Sequence, residues 1–315
     1  MPEIKTAPTR DGYGKGLIEL GKVQENFLVM DADLAGATRT GQFAKAFPNR
    51  FYNCGIAEQN MMSIAAGISV SGTPVFVSSF AMFAAGRAYE QVRNSIGYPH
   101  LNVKIGATHA GVSVGEDGAT HQCCEDIALM RTIPGMVVIN PADEVEAEKA
   151  VFAAFEHDGP VYLRFGRLAV PVVFDADYKF EIGKANVLRD GTDVTIIATG
   201  LMLAQAMEAH ELLLAKGISA RIINMATIKP LDREAVISAA KETGAIVTAE
   251  EHSIIGGLGS AVSEVVCEDC PVPMVRVGVN DTFGISGPAT ELLEYHKLTA
   301  PYIVEAAIQA IAKKK

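Results

Sequence analysis

The sequence predicts an α/β protein built from two doubly wound domains. Its 315 residues are enough for two domains of about 100–200 residues each. Short apolar segments alternate with helical patterns along the chain, which is the βαβ rhythm of parallel sheets covered by helices. This rhythm is interrupted once, between Gly166 and Gly183, by an aperiodic segment that contains Pro171.

The first half of the chain predicts a complete α/β domain. We expect strands at 26–31, 74–78, 102–107, 136–140 and 161–164 and helices at 14–23, 56–71, 81–96, 125–131 and 143–155. The segment 59–86 contains no charged residue, but Gly72-Thr73-Pro74 and several serines interrupt it. We therefore predict a helix, a turn, a buried strand and a second helix there, and no membrane span.

The second half repeats the pattern. We expect strands at 193–199, 218–224, 245–250 and 272–277 and helices at 203–215, 232–243, 257–267 and 302–312. The predicted division is a first domain at 1–168, a linker at 169–184 and a second domain at 185–315.

Composition narrows the classes of function. The chain has 49% hydrophobic and 20% charged residues and a net charge of −10, which argues against a general nucleic-acid or anionic-membrane surface. A phosphorylated ligand would need a local basic pocket. The segment 1–10 has charges and no apolar core, and the five cysteines form no disulfide framework, so we expect a cytoplasmic protein.

Glu58 is the first candidate for chemistry. It lies in the first turn of the predicted helix 56–71, within Asn53-Cys54-Gly55-Ile56-Ala57-Glu58-Gln59-Asn60. An acid at this position is favoured by the helix dipole, so its position alone indicates a structural residue. The uncharged residues that follow would instead desolvate the carboxylate, which suits proton transfer near neutral pH. Phe80 and Phe83 lie on one helical face, where aromatic residues usually form core.

A second candidate segment runs from His109 to Gln122 and ends Gly115-Glu116-Asp117-Gly118-Ala119-Thr120-His121-Gln122. It follows a predicted strand, and strand C-termini are where open α/β sheets bind ligands. Histidines titrate near neutral pH and suit proton transfer or contact with phosphate. Two alternatives are a purely structural loop and a zinc site made of His109, Asp117, His121 and Cys123, although the paired spacing of zinc ligands is missing.

Together the two segments resemble the pyrimidine-binding half of the transketolase family of thiamine diphosphate enzymes, and the resemblance extends over the whole chain. The Gly-Asp-Gly…Asn signature with which these enzymes hold the diphosphate through a divalent metal is absent from the sequence. The resemblance therefore implies a split enzyme. An N-terminal transketolase subunit would supply the diphosphate site and its Mg²⁺ or Ca²⁺, in an α₂β₂ assembly.

The resemblance implies a cofactor side of the site. Glu58 would meet N1′ of the aminopyrimidine, and Phe80 and Phe83 would pack on the pyrimidine ring. Asp33 matches an acid near the cofactor, and His121 would face the reacting carbon.

The resemblance also implies a substrate side. Asp117 would bind a substrate hydroxyl, and His109 would reach toward the acceptor phosphate and act with Glu58 and His121 in catalysis. Arg164, at the end of the predicted strand 161–164, would clamp that phosphate through its planar fork. Arg10 is a candidate for the donor side.

The implied reaction is transfer of a two-carbon ketol unit from a ketose phosphate to an aldose phosphate, as in the pentose phosphate pathway. Deoxyxylulose-phosphate synthases share the Asp-Gly-x-Thr-His core but have an Asp-Arg pair where this chain has His109-Ala110. Half of such a synthase is one alternative. A non-catalytic transketolase-like partner that regulates the other subunit is another.

Overall fold

Residues 5–314, as described by a computed structural model, form two mainly parallel β-sheets covered by helices. The predicted fold class, two doubly wound α/β domains, is confirmed. The first four residues of the N-terminal segment considered above lie outside the described range. Within that range, no helix is both long enough and apolar enough to cross a membrane.

The first half of the described chain carries the following elements. In chain order they are β1 (Thr6–Pro8), α1 (Thr9–Val23), β2 (Leu28–Asp31), α2 (Ala35–Thr38), α3 (Thr40–Ala46), β3 (Phe51–Asn53), α4 (Glu58–Ser69), β4 (Val75–Phe80), α5 (Tyr89–Gln91), β5 (Val103–Thr108), α6 (Asp126–Arg131), β6 (Val137–Ile139), α7 (Glu144–Glu156), β7 (Val161–Arg164) and β8 (Ala169–Pro171). The first half also has short 3₁₀ turns at Pro48–Arg50 and Val112–Asp117 and two π-helical segments, Met82–Arg87 and Val92–Gly97.

The second half continues in the same manner. Its elements are β9 (Asn186–Arg189), β10 (Val194–Ala198), α8 (Met202–Leu214), β11 (Ala220–Asn224), β12 (Thr227–Lys229), α9 (Arg233–Thr243), β13 (Ile246–Ser253), α10 (Leu258–Asp269), β14 (Met274–Val279), α11 (Ala289–Tyr295) and α12 (Ala300–Ala312).

The first sheet has seven strands in the order β12-β6-β7-β5-β4-β2-β3. Its central strands β4 and β5 are buried along their whole length because helices cover both faces. Helices α1 and α7 cover one face, and α4, α6 and the segment around α5 cover the other. The uncharged segment 59–86 therefore supplies a buried helix and a buried strand.

The first half differs from the sequence-based prediction in several elements. The short elements β1, α2, α3, β3 and β8 were not predicted, and two predicted helices are changed. Helix α1 begins at Thr9, five residues before the expected start. Its glycines let it lie directly on α7, because a Cβ on Gly12 would come within 2.1 Å of the Glu144 carbonyl oxygen. The predicted single helix at 81–96 is instead two π-helical segments, Met82–Arg87 and Val92–Gly97, around α5. Such segments are frequent near functional sites.

The second sheet has five strands in the order β14-β13-β10-β11-β9, all parallel except β9. Helices α8 and α12 cover one face, and α9 and α10 cover the other. Strand β12 belongs to the second half of the chain but pairs antiparallel with β6 at the edge of the first sheet.

The segment 169–184, predicted as a linker, packs against the first half of the chain. Strand β8 pairs antiparallel with β1. The Asp143 carboxylate accepts hydrogen bonds from the backbone N–H groups of Val173 and Phe174 at 2.6 and 2.8 Å. The Tyr178 hydroxyl donates to Glu146 at 2.7 Å. The connection between the sheets is therefore held by buried polar contacts.

Candidate active site

A cleft of about 440 Å³ lies at the C-terminal edge of the first sheet, where open α/β sheets bind ligands. Asp33 follows β2, Phe83 follows β4, Glu58 begins α4, and His121 reaches the cleft from the loop after β5. The other lining residues are Ala32, Leu34, Ile56, Arg87 and Thr120. Four of the sequence-predicted site residues thus meet at one place, although they are up to 88 positions apart.

Glu58 is only 2% exposed and forms an ion pair that the sequence did not predict. Its Oε2 atom accepts a hydrogen bond from Nη1 of Arg87 at 3.0 Å. The Arg87 guanidinium also lies 4.5 Å from the centre of the Phe83 ring, as a cation–π contact. The segment 59–86 itself is uncharged, as the sequence indicates, and the charge beside Glu58 comes from Arg87, the next residue along the chain.

Asp33 is held at the mouth of the cleft by Asn53. The Asn53 side-chain amide donates to the Asp33 carboxylate at 3.0 Å and accepts from the Asp33 backbone N–H at 3.2 Å. Asp33 has φ 64°, a conformation that aspartate tolerates better than most residues. The two hydrogen bonds fix this turn, and the second carboxylate oxygen of Asp33 stays available to a ligand.

The aromatic and imidazole rings form one group. The Phe80 and Phe83 ring centres are 6.0 Å apart and nearly parallel, and the His109 ring stacks on Phe80 at 3.9 Å. The His121 ring meets Phe83 edge-on at 5.3 Å. Phe83 and His121 line the cleft, whereas Phe80 lies behind them and supports His109.

His109 is a neutral, buried hydrogen-bond acceptor. Its Nε2 atom lies 2.9 Å from Nη1 of Arg10, and because a guanidinium can only donate, Nε2 must accept. Nδ1 is then the protonated nitrogen, and it donates to Thr108 Oγ1 at 2.9 Å. Burial, together with the charges of Arg10, Arg167 and Arg39, lowers the pKa of His109 to about 3. The expectation that His109 titrates near neutral pH is therefore wrong.

Three arginines lie around His109 and lower its pKa by their charge. Arg10 also donates to the Ala37 carbonyl, and its buried Nε has no partner among residues 5–314. Arg39 has φ 71° and donates from Nε to Asp11 at 2.6 Å. Arg167 donates to the Val114 carbonyl and remains half-exposed. Sequence reasoning named only Arg10, because no local pattern links the other two to His109.

Arg164 does not reach the cleft. Its guanidinium is 3% exposed and donates to Asp126 Oδ2 and the Glu251 carbonyl, both at 2.9 Å, and to the Cys123 carbonyl at 3.4 Å. The expectation that Arg164 clamps a sugar phosphate is corrected, because this guanidinium is already committed inside the protein. Its position at a strand end was right, but the second half of the chain covers it.

The loop from His109 to Gln122 is here called the histidine loop, and only some of its candidate site residues reach the cleft. His121 lines the cleft, with Nδ1 3.0 Å from Thr120 Oγ1. Asp117 ends the 3₁₀ turn on the surface and is not among the lining residues of the cleft. Among residues 5–314, no group of three His, Cys, Asp or Glu side chains is arranged to hold a metal ion.

Both halves of the chain match families by sequence. The family model described as the transketolase pyrimidine-binding domain matches residues 5–172, and that of the transketolase C-terminal domain matches residues 183–303. The matched pyrimidine-binding domain places the chain in the class of thiamine diphosphate-dependent enzymes.

Individual relatives narrow this class. A protein of Methanocaldococcus jannaschii, provisionally named a transketolase C-terminal section, is 52% identical over 97% of this chain and 96% of its own length. The 6-deoxy-6-sulfo-D-fructose transketolase subunit SqwH of Clostridium sp. is 43% identical over 97% of this chain and 95% of its own length. The solved structure of a split gene transketolase, an inactive beta4 tetramer, superimposes with a TM-score of 0.92 at 55% identity, covering 98% of this chain and 99% of that one. The chain belongs to the transketolase family and corresponds to the C-terminal half of a split transketolase.

Proposed function

We propose that this chain is the pyrimidine-binding subunit of a transketolase that transfers a two-carbon ketol unit from a ketose phosphate to an aldose phosphate. The observation that carries the proposal is the buried Glu58 carboxylate, which faces the cleft beside Phe83 and His121. A desolvated carboxylate next to an aromatic face suits a flat, nitrogen-containing ring.

The cleft residues fit the pyrimidine end of thiamine diphosphate. Oε2 of Glu58 is bonded to Arg87, and Oε1 has no donor among the described residues, so it is available to a ring nitrogen. Phe83 would support the ring face, and Asp33 would lie beside it. When bound, thiamine diphosphate supplies the nucleophilic carbon that takes up the two-carbon unit. We assign its diphosphate and its Mg²⁺ or Ca²⁺ to a second subunit, in an α₂β₂ assembly.

The substrate side follows from the histidine loop and the arginines. His121 has Nδ1 next to Thr120, which leaves Nε2 for a substrate hydroxyl or a proton. His109 is neutral and accepts from Arg10, so we give it the role of orienting that guanidinium rather than of moving protons. Arg10 and Arg167 would bind the terminal anion of the sugar through their guanidinium groups, and Asp117 would bind a hydroxyl.

The comparisons support a split enzyme with a sugar that carries an anionic end. The similar tetramer that contains beta chains alone is inactive, as expected if a partner completes the site. SqwH acts on a sulfonated fructose, and a sulfonate, like a phosphate, is a tetrahedral anionic group. All five cysteines are free thiols, which suits the cytoplasmic location that we propose. We also propose that the enzyme acts in the pentose phosphate pathway. We also propose the domain division 1–168 and 185–315, which the two family matches support.

The test is ketol transfer from xylulose 5-phosphate to ribose 5-phosphate with thiamine diphosphate and Mg²⁺. The chain alone, its diphosphate-binding partner alone and the mixture are assayed in parallel. Activity of the mixture only is the expected result. Activity of the chain alone would overturn the split site. An assembled mixture that is inactive here but condenses pyruvate with glyceraldehyde 3-phosphate would replace the proposal with a deoxyxylulose-phosphate synthase.

A further inference from the structure

We infer that the second half of the chain positions the histidine loop through Glu251, which makes Glu251 a positioning residue of the active site. Glu251 lies in β13 of the second sheet and is not among the residues that line the cleft. Within residues 5–314, the hydrogen-bond partners of Arg10, Arg39 and Arg167 do not include Glu251. The inference about catalysis rests on the proposed function, whereas the inference about the loop does not.

Glu251 holds the start of the histidine loop by a buried hydrogen bond. Its side chain is 3% exposed, and Oε1 accepts from the backbone N–H of Ser113 at 2.5 Å. Gly111 makes this approach possible. It has φ 80°, and a Cβ there would lie 2.3 Å from the Glu251 carboxyl carbon. The carboxylate therefore sits directly against the backbone two residues after His109.

A second contact holds the other end of the loop against the same half of the chain. Nε2 of Gln122, the residue after His121, donates to the carbonyl oxygens of Val112 at 3.2 Å and Gly115 at 3.1 Å. It also donates to the carbonyl of Ile285 at 2.9 Å, between β14 and α11. The loop is thus fixed on both sides of its glycine-rich turn by residues of the second half.

This attachment matters because the loop cannot set its own geometry. His109 has φ 55°, which costs free energy for a histidine and persists only when the surroundings impose it. The loop also contains three glycines with positive φ, which leave its backbone free to adopt other shapes. A displacement of about 1 Å in a site of this kind can reduce the rate by roughly 10²-fold.

The neighbouring Glu250 is a matched control. It is also buried, and burial raises the pKa of each carboxyl to about 7. However, Glu250 accepts from the backbone N–H groups of Leu258 and Gly259, at 2.7 and 2.8 Å. It therefore stabilises the start of α10 within its own half of the chain, and the histidine loop is not among its partners.

Two variants of Glu251 separate its hydrogen bond from its charge. Glu251→Gln keeps an oxygen acceptor for Ser113 and removes the charge. Glu251→Asp keeps the charge and withdraws the acceptor by about one methylene, roughly 1.5 Å. Glu250→Gln and Glu250→Asp make the same two changes one residue away. Melting temperatures of all four variants show whether the two aspartate variants are comparably destabilised.

The first readout is amide hydrogen exchange of residues 109–122 in the full chain, which requires no activity. We expect Glu251→Asp to speed exchange at Ser113 and its neighbours by at least about tenfold, because local opening becomes easier. Glu251→Gln and both Glu250 variants should leave loop exchange within about threefold of wild type. Unchanged exchange in Glu251→Asp would overturn the inference, as would equally fast exchange in Glu250→Asp.

The second readout is ketol transfer by the assembled complex. Glu251→Asp should lower kcat/KM by roughly 10²-fold. Glu251→Gln keeps the acceptor for Ser113, so its kcat/KM should stay within a few-fold of wild type. A larger loss of kcat/KM in Glu251→Gln than in Glu251→Asp would show that the charge matters and would overturn the positioning role. Faster exchange in the loop with unchanged kcat/KM would also overturn that role. If the wild-type complex transfers no ketol unit, the proposed function fails, while the exchange data still decide whether Glu251 holds the loop.

Discussion

Replacement of Arg164 by methionine should destabilise the fold and leave sugar-phosphate binding largely intact. The change keeps the aliphatic length and removes a guanidinium that is 3% exposed and paired with the fully buried Asp126. Asp126 Oδ2 would retain only the Tyr162 hydroxyl, at 2.8 Å, and the Glu251 carbonyl would lose its arginine donor. The Cys123 carbonyl would keep the Gly111 backbone N–H at 2.9 Å. Removal of one partner of a buried ion pair costs about 3–5 kcal/mol.

This cost can be measured on the isolated chain. At about 2–4 °C per kcal/mol, the conversion for a domain of about 150–250 residues, the melting temperature should fall by roughly 6–20 °C in thermal unfolding followed by circular dichroism. Arg167→Met is the control. Its side chain is 38% exposed and lies 3.4 Å from the exposed Glu116, so its loss should cost under about 1 kcal/mol. Because we assign Arg167 to the sugar anion, the control should instead raise KM.

The reverse outcome would refute this reasoning. If Arg164→Met melts within about 2 °C of wild type and raises the KM for the sugar phosphate, the guanidinium serves the ligand. The ion pair between Arg164 and Asp126 would then be absent from the active enzyme. Arg164→Lys is informative as well, because a lysine keeps the charge but cannot reproduce the fork of contacts.

Three further predictions concern buried ionisable side chains. Glu58→Gln should lower ketol transfer by roughly 10²–10⁴-fold with little change in melting temperature, and activity within a few-fold of wild type would remove Glu58 from its role. The imidazole signal of His109 should not titrate by NMR between pH 5 and 8; its lowered pKa means that stability is lost as pH falls below the unfolded value near 6.5. Burial raises the pKa of Glu146 to about 7, so the folded state binds the proton more tightly and stability falls as pH rises from about 4.5 through 7. Glu146→Gln should flatten that part of a plot of urea midpoint against pH, and an unchanged slope would contradict the assignment.

The fold class could be predicted because its signals are local. Strand β7 was expected at 161–164 and occupies those residues, since a short apolar run between turns is enough to indicate a buried strand. The π-helical segments around α5 were not predicted, because π and α turns share almost the same pattern of side chains. The pairing of β12 with the first sheet was also missed, since it depends on how the two halves of the chain meet.

The sequence by itself determined the two α/β halves, the family resemblance and the identity of Glu58, Phe83 and His121 as candidates, because these rest on periodicity and on a local motif. Only the tertiary structure decided how the charges are arranged. It pairs Glu58 with Arg87, makes His109 neutral and buries Arg164 against Asp126. The physical reason is that burial and Coulomb interactions depend on distance in space, and these partners are 29 to 99 positions apart in the chain.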